Sequence, residues 1–177
     1  MNKVLRLCLD LNIWCAALLA EYKQKQDTAC QSLVKIVRDR DCSLGKVQLV
    51  ISWGTLNRLE KVLKQDWQVG DRAADLYLDI IRNYAQGNPQ LTLGGTGIVP
   101  LRDTEDAHVL ETALAGKVDI LVTANFRDFV AKDTQILISQ RYGVHAAPAH
   151  IFQIVHPYLM MEWLNDGKTP DLSKYKS

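Results

Sequence analysis

The 177-residue sequence contains no CxxC pair, and its four cysteines, Cys8, Cys15, Cys30 and Cys42, lie 7, 15 and 12 residues apart. That spacing supports neither a zinc module nor a disulfide framework, and the thiols are expected to be inert in a reducing cytoplasm. A Walker lysine loop, a GxGxxG turn and a GxSxG elbow are also missing. Their absence sets aside the commonest nucleotide-binding and acyl-transfer chemistries of α/β proteins. His108, His145, His150 and His156 show no ligand spacing with one another. Nor is there an excess of charge: 21 Lys and Arg against 20 Asp and Glu leave a formal +1. No global field therefore draws the protein to nucleic acid or membrane, and an anionic ligand has to be met by a local patch.

Long apolar runs are missing as well. Spanning a bilayer takes ~20 apolar residues, and the nearest approach, LRLCLDLNIWCAALLAE from Leu5, is broken by Asp10 and Asn12. A carboxylate in that setting costs roughly 2.5 to 3.5 kcal/mol on insertion scales. Despite the basic Lys3 and Arg6, neither a signal nor an anchor is expected, and a cytoplasmic protein is. Some other constraint placed an acid at the end of a hydrophobic strand.

What is present is an alternation of strands and helices. Val4–Leu9 reads as a buried strand, after which Asn12 can cap a helix to about Lys25 with Ile13, Ala16, Ala17 and Ala20 on one face. A second helix starts at Asp27, and the polar stretch Asp39–Lys46 reads as a loop. Val47–Ile51 is a second strand, Ser52 caps a helix through Leu63, and a further helix covers about Asp71–Gln86, ended by Gly87 and Pro89. Leu91–Pro100 reads as a glycine-rich loop with a short extended piece at Ile98–Leu101. A helix follows from Asp103 or Thr104 to Gly116, then a third strand at Asp119–Val122 and a turn at Thr123–Asn125. Strands apolar on both faces, alternating with helices, argue for a parallel sheet covered on both sides.

In such a sheet ligands gather at the carboxyl ends of the strands. Asp10, the Asp103–Asp106 helix start and the Asn125–Asp128 turn all fall there. Each has a plain reading: a helix cap with an acidic N3 residue for Asp103 and Asp106, an Asx turn for Asp10, turn formation for Asn125 and Asp128. Together they place several carboxylates at one edge, where they must take up protons unless a cation sits among them. Oxygen-only ligands select Mg²⁺ or Mn²⁺, which polarise a phosphodiester and lower the pKa of water.

In order and spacing these residues resemble the PIN-domain ribonucleases over about residues 3 to 155. The matching pieces are the strand ending in Asp (LCLDLNIW), a mid-chain helix carrying an acid, the paired acids of RDTEDAHVLETALAG, and VDILVTANFRDF as the apolar strand with its VT-x-D/N turn. YGVHAAPAHIF resembles the family's last short strand and final helix. The resemblance implies a three-layer α/β/α fold with a mainly parallel central sheet. It implies metal-dependent endoribonuclease activity, with the toxin half of a toxin–antitoxin pair as one form of it. Asp10, Asp106, Asp103 and Asp128 are the implied metal-binding acids, supported by Asn12, Thr123 and Asn125.

Two departures stand out. Arg58 occupies the helical position where the family carries an acid, and Glu60 on the inward stripe is the nearest substitute catalytic acid beside Asp10, Asp106 and Asp128. Asn125 stands where the last aspartate is usual, with Asp128 three residues on, in reach if Phe126–Phe129 forms one helical turn. Arg38 and Arg40, flanking one loop, and Arg58 and Lys61, along one helix, are the tracks for a phosphate backbone, or else solvated faces. Single-stranded RNA is the expected substrate, because a recessed acidic site admits a splayed strand more easily than a duplex. Residues 1–155 form the expected domain; the tail over 156–177, with its apolar MMEWL, packs on it or on a second subunit, making a homodimer. An antitoxin protein is the other expected partner, and no membrane contact is. The rival readings are a non-catalytic RNA-binding or regulatory PIN-like module whose metal site Arg58 and Asn125 have degraded, and a dehalogenase-like phosphatase with Asp10 as nucleophile. The second asks for an Asp two residues on, where Asn12 stands.

Overall fold

The computed structural model describes residues 4–85, 104–129 and 132–175, with the side chains of 104–107 and of Asp128 also outside the description. The glycine-rich stretch from Leu91, the helix end at Gly87 and Pro89, and Asp103 therefore lie outside the described residues.

Among the described residues, seven strands form one sheet in the order β2-β3-β1-β4-β7-β6-β5. They are β1 (Val4–Leu9), β2 (Asp41–Cys42), β3 (Gly45–Leu49), β4 (Ile120–Val122), β5 (Thr134–Ile138), β6 (Tyr142–Ala147) and β7 (His150–Val155). The four central strands, β3, β1, β4 and β7, run parallel, and each edge is finished by antiparallel pairing. Helices α1 (Leu11–Tyr22), α2 (Ala29–Asp39), α3 (Trp53–Lys61), α4 (Asp71–Tyr84), α5 (Thr104–Ala115) and α6 (Pro157–Asp166) pack on its two faces.

The two-residue period of the strands sorts their side chains between two cores. From β1, Leu5, Leu7 and Leu9 join Trp14, Leu33, Val37, Leu59, Leu78 and Met160 on the face covered by α1 to α4 and α6. Cys8 points the other way, into a smaller core with Val109, Leu110 and Ala113 of α5 and with Phe126, Phe129 and Phe152. That is the three-layer α/β/α arrangement with a mainly parallel centre.

Several elements differ from the sequence reading. Asp10, not Asn12, caps α1, and the helix ends at Tyr22; Trp14 is buried where Ala16 is exposed. α2 begins at Ala29, because Thr28 and Gln31 form a reciprocal capping box. The expected loop Asp39–Lys46 contains the short β2–β3 hairpin. Ser52 caps its helix as expected, but α3 loosens after Lys61 into a π-helical turn, Val62–Asp66. The stretch YGVHAAPAHIF is not a strand followed by a helix. It forms the β6–β7 hairpin, with Ala147 paired to His150 around Pro148 and Ala149. The final helix is α6, started by the His156 cap and Pro157, with Leu159, Met160, Trp163 and Leu164 buried. Among the described residues, no helix is long and apolar enough to cross a membrane.

Candidate functional site

β1 and β4 are hydrogen-bonded parallel neighbours, and Asp10 and Thr123 follow their last residues. Two polar side chains therefore leave an apolar sheet at one edge, at a position where the backbone must turn into helix. Asp10 is only 5% exposed, and both its carboxylate oxygens are held. Oδ1 accepts from the Leu11 backbone N–H at 2.6 Å, and Oδ2 accepts from Asn12 Nδ2 at 2.6 Å and Thr123 Oγ1 at 2.8 Å. Asn12 spans the two strand ends, since its Oδ1 accepts from the Ala124 N–H at 3.1 Å. Thr123 Oγ1 in turn accepts from the Asn125 N–H at 3.0 Å, which shapes the turn into the single helical turn Phe126–Phe129. Asn12 is thus a bridge between strand ends rather than a helix cap.

Burial holds the Asp10 carboxyl above its ordinary range, and the hydrogen bonds from Thr123, Leu11 and Asn12 and the positive charge of Arg58 pull it back. The same environment reaches the neighbouring thiols. Burial and then the Asp10 charge raise Cys8, and they push Cys15 up to about 11, so neither is a nucleophile at neutral pH.

Arg58 is the cation whose field Asp10 feels. Glu60, expected to face the acids, instead pairs with Lys64 at 2.9 Å, and Lys64 also reaches Asp75 of α4 at 2.6 Å. Residues two apart on a helix are about 200° apart around it, so only one of this pair can face Asp10. The charge that reaches Asp10 is that of Arg58, and Glu60 lies in the α3–α4 groove. The other basic track is distant. Arg40 precedes β2 and donates to Asn83 O at 3.1 Å, and Arg38 pairs with Asp39 at 2.8 Å. They flank the start of β3, where Lys46 pairs with Val4, a strand length of about 20 Å from Asp10.

Asp106 lies in the first turn of α5 and Asp128 in the turn after β4, but their side chains, like all of Asp103, fall outside the description. Among the described residues, no group of three His, Cys, Asp or Glu could hold a metal ion. Asp10 by itself has the right chemistry: a carboxylate offers about four lone-pair sites, and three are taken. That leaves room for one hard cation, and the neutral oxygens of Asn12 and Thr123 beside it suit Mg²⁺ or Mn²⁺ better than zinc.

Sequence reasoning passed over Glu111, an acid only 5% exposed on α5 between the apolar Leu110 and Ala113. Its signal was its place among those inward residues. His108, two residues beyond Asp106, keeps its Nδ1 buried with no hydrogen-bond partner among the described residues.

Comparison with known proteins speaks to the family. No curated protein matches the chain. A family model described as PIN domain matches residues 6–127, which takes in most of β1, Asp10, the α3 helix with Arg58, α5, β4 and Asn125. The match covers more than half of the sequence, and the chain belongs to the PIN-domain family.

Proposed function

We propose that the protein is a Mg²⁺- or Mn²⁺-dependent endoribonuclease that cuts single-stranded RNA at the strand-end site around Asp10. The PIN fold is a nuclease fold, and the observation that carries the reading here is the clamp on Asp10. A carboxylate with 5% exposure is kept ionisable by three donors, an arrangement that is costly to build and gains nothing for a plain helix cap. When bound, the ion polarises the phosphodiester and acidifies the attacking water. Asp10 would anchor that ion, with Asp106, Asp103 and Asp128 as the other proposed acids. Leu11, Asn12 and Thr123 fix the carboxylate's orientation. Arg58, as a planar guanidinium, suits a phosphate oxygen pair of the substrate and so draws the strand toward Asp10. A toxin role and an antitoxin partner rest on the family resemblance, and a homodimer on the apolar MMEWL segment of the tail.

The test is cleavage of a fluorescent single-stranded RNA in Mn²⁺ and in EDTA. Asp10→Asn is expected to reduce Mn²⁺-dependent cleavage to background with the thermal melt still cooperative; unchanged turnover would sink the reading. A second reading is favoured by one observation: the positive charge that acts on Asp10 is that of Arg58, where the family carries an acid. Arg58 then substitutes for the ion, and the protein binds RNA without cutting it. Calorimetric titration with Mn²⁺ separates the two, because the second reading expects no binding until Arg58→Glu restores an acid.

A further inference from the structure

The segment between β3 and α3 brings a second feature to the same end of the sheet. Leu49 pairs with Leu7 in the parallel β3–β1 ladder. Ser52 and Asp10, each three residues further on, therefore leave the sheet side by side, about one strand spacing of 4.8 Å apart. Ser52 caps α3, and Trp53 is its first residue.

Trp53 stays out of the core. It is 41% exposed, and the Arg82 guanidinium from the last turn of α4 lies 5.7 Å from its ring centroid. Arg82 is itself held by Asp79, one turn back on α4. A cleft of about 370 Å³ opens beside the pair, with Leu56, Asn57 and Leu78 among its walls. At 100° per residue, the exposed Asn57 and Lys61 lie around α3 between its Trp53 side and its Arg58 side. One surface of α3 therefore runs from the indole to the cation beside Asp10.

We propose that Trp53, backed by Arg82, is a stacking platform for an unpaired base of single-stranded nucleic acid whose phosphates run along Lys61 and Arg58 toward Asp10. The proposal rests on the nucleic-acid reading of the site given above. An indole with a guanidinium against it offers the flat, polarisable surface that bases stack on, and every base has such a face, so the contact is tolerant of sequence. A duplex hides those faces. The cleft's charges also orient the strand: Glu60, Asp75 and Asp79 outnumber Lys64 and Arg82, with which they pair. Three carboxylates against two cations repel phosphate, so the base enters and the backbone stays on the Lys61 side.

The probe is a fluorescein-labelled mixed-sequence RNA of about 12 nucleotides, titrated by anisotropy against the full chain in EDTA, so that no cleavage occurs. Trp53→Ala is expected to weaken binding about tenfold or more, on RNA and on DNA of the same sequence, while Trp53→Phe retains most of it. Arg82→Gln is expected to cost about threefold. Tryptophan fluorescence quenched by the oligonucleotide in the parent should be largely lost in Trp53→Phe, although Trp14, Trp67 and Trp163 remain. Duplex binding should be insensitive to all three changes. If Trp53→Ala binds and cleaves like the parent, the platform is overturned and the nuclease reading stands. If the parent binds through Trp53 but cuts nothing in Mn²⁺, the platform stands and the nuclease reading falls. If the parent binds no oligonucleotide, both are overturned.

Discussion

At the scale of single residues, the site turns on how one carboxylate is held. Thr123 is fully buried and serves Asp10, Asn12 and Asn125 through one hydroxyl. Replacing it with valine keeps the shape and removes every one of those bonds, leaving buried polar groups unpaired. Thr123→Val should therefore destabilise the fold by about 1 to 3 kcal/mol and lower cleavage, as read by urea unfolding and the RNA assay. A loss within error of zero would mean that water replaces the hydroxyl without cost. The neighbouring turn makes a second prediction. Asn125→Asp should tighten Mn²⁺ binding by adding a hard anionic ligand, and Asp128→Asn should weaken it. Calorimetry reads both, and silence in both variants would remove this turn from the proposed site. Asp10 itself was legible in the sequence, because a charge that closes an apolar strand stands out from its neighbours and is costly to bury there without a use. Asn12 and Thr123 were implied as its supports by the family resemblance, but their bonding was not legible: Thr123 is 113 residues away, and only the β1–β4 pairing sets its hydroxyl against the carboxylate.

At the scale of elements, two junctions are under tight constraint. Gly116 follows α5, and a Cβ placed there would come within 2.1 Å of Val50 Cγ1 and 3.1 Å of Thr112 O. Val50 is fully buried and β-branched, so it has nowhere to turn. Gly116→Ala should cost about 1 to 3 kcal/mol through overpacking, measurable as a shift in urea midpoint at constant slope. The β6–β7 hairpin carries the other constraint. His145 accepts or donates at Thr134 Oγ1, 2.9 Å away, and its ring lies 5.0 Å from Phe152. Burial holds its pKa below the ordinary 6.5, with Asp133 opposing and His150 assisting. The folded state then binds the proton less readily than the unfolded chain does. The neutral ring's contribution is complete above 6.5 and is lost as the pH falls below that value toward the folded one. Unfolding midpoints should accordingly drop between about pH 7 and pH 5, and His145→Gln should flatten that slope. An identical slope in the variant would assign the acid sensitivity to other groups. This hairpin was misread as strand and helix because a short apolar run bounded by Pro148 fits either element until a partner strand is known.

At the scale of the whole molecule, the sheet unites two cores of unequal size, and the larger one includes the last long helix. Trp163 of α6 meets Tyr142 of β6 edge-on, with ring centroids 5.1 Å apart, and Gln153 of β7 donates to the Pro170 carbonyl at 2.9 Å. Residues beyond 156 therefore contribute to the same packing as α2. Trp163→Ala should cost about 3 to 5 kcal/mol and lower the single thermal transition rather than split it. A separate early transition, leaving the main one unmoved, would show that the C-terminal helix melts independently of the sheet.

The sequence by itself determined the alternation of strands and helices, the parallel core and the strand-end position of Asp10. Those features follow from local periodicity and from the cost of placing a charge in an apolar run. It also carried the Ser52 cap, the turn after Thr123 and the order of motifs that the PIN family shares. Tertiary structure alone decided how side chains meet Asp10. The pairing of β1 with β4 chose Thr123, and the rotation of α3 chose Arg58 over Glu60. The packing of α4 on α3 set Arg82 against Trp53. The physical reason is common to all three. Hydrogen bonds, ion pairs and stacking act over a few ångströms, and distances that short between remote residues exist only after the sheet has closed.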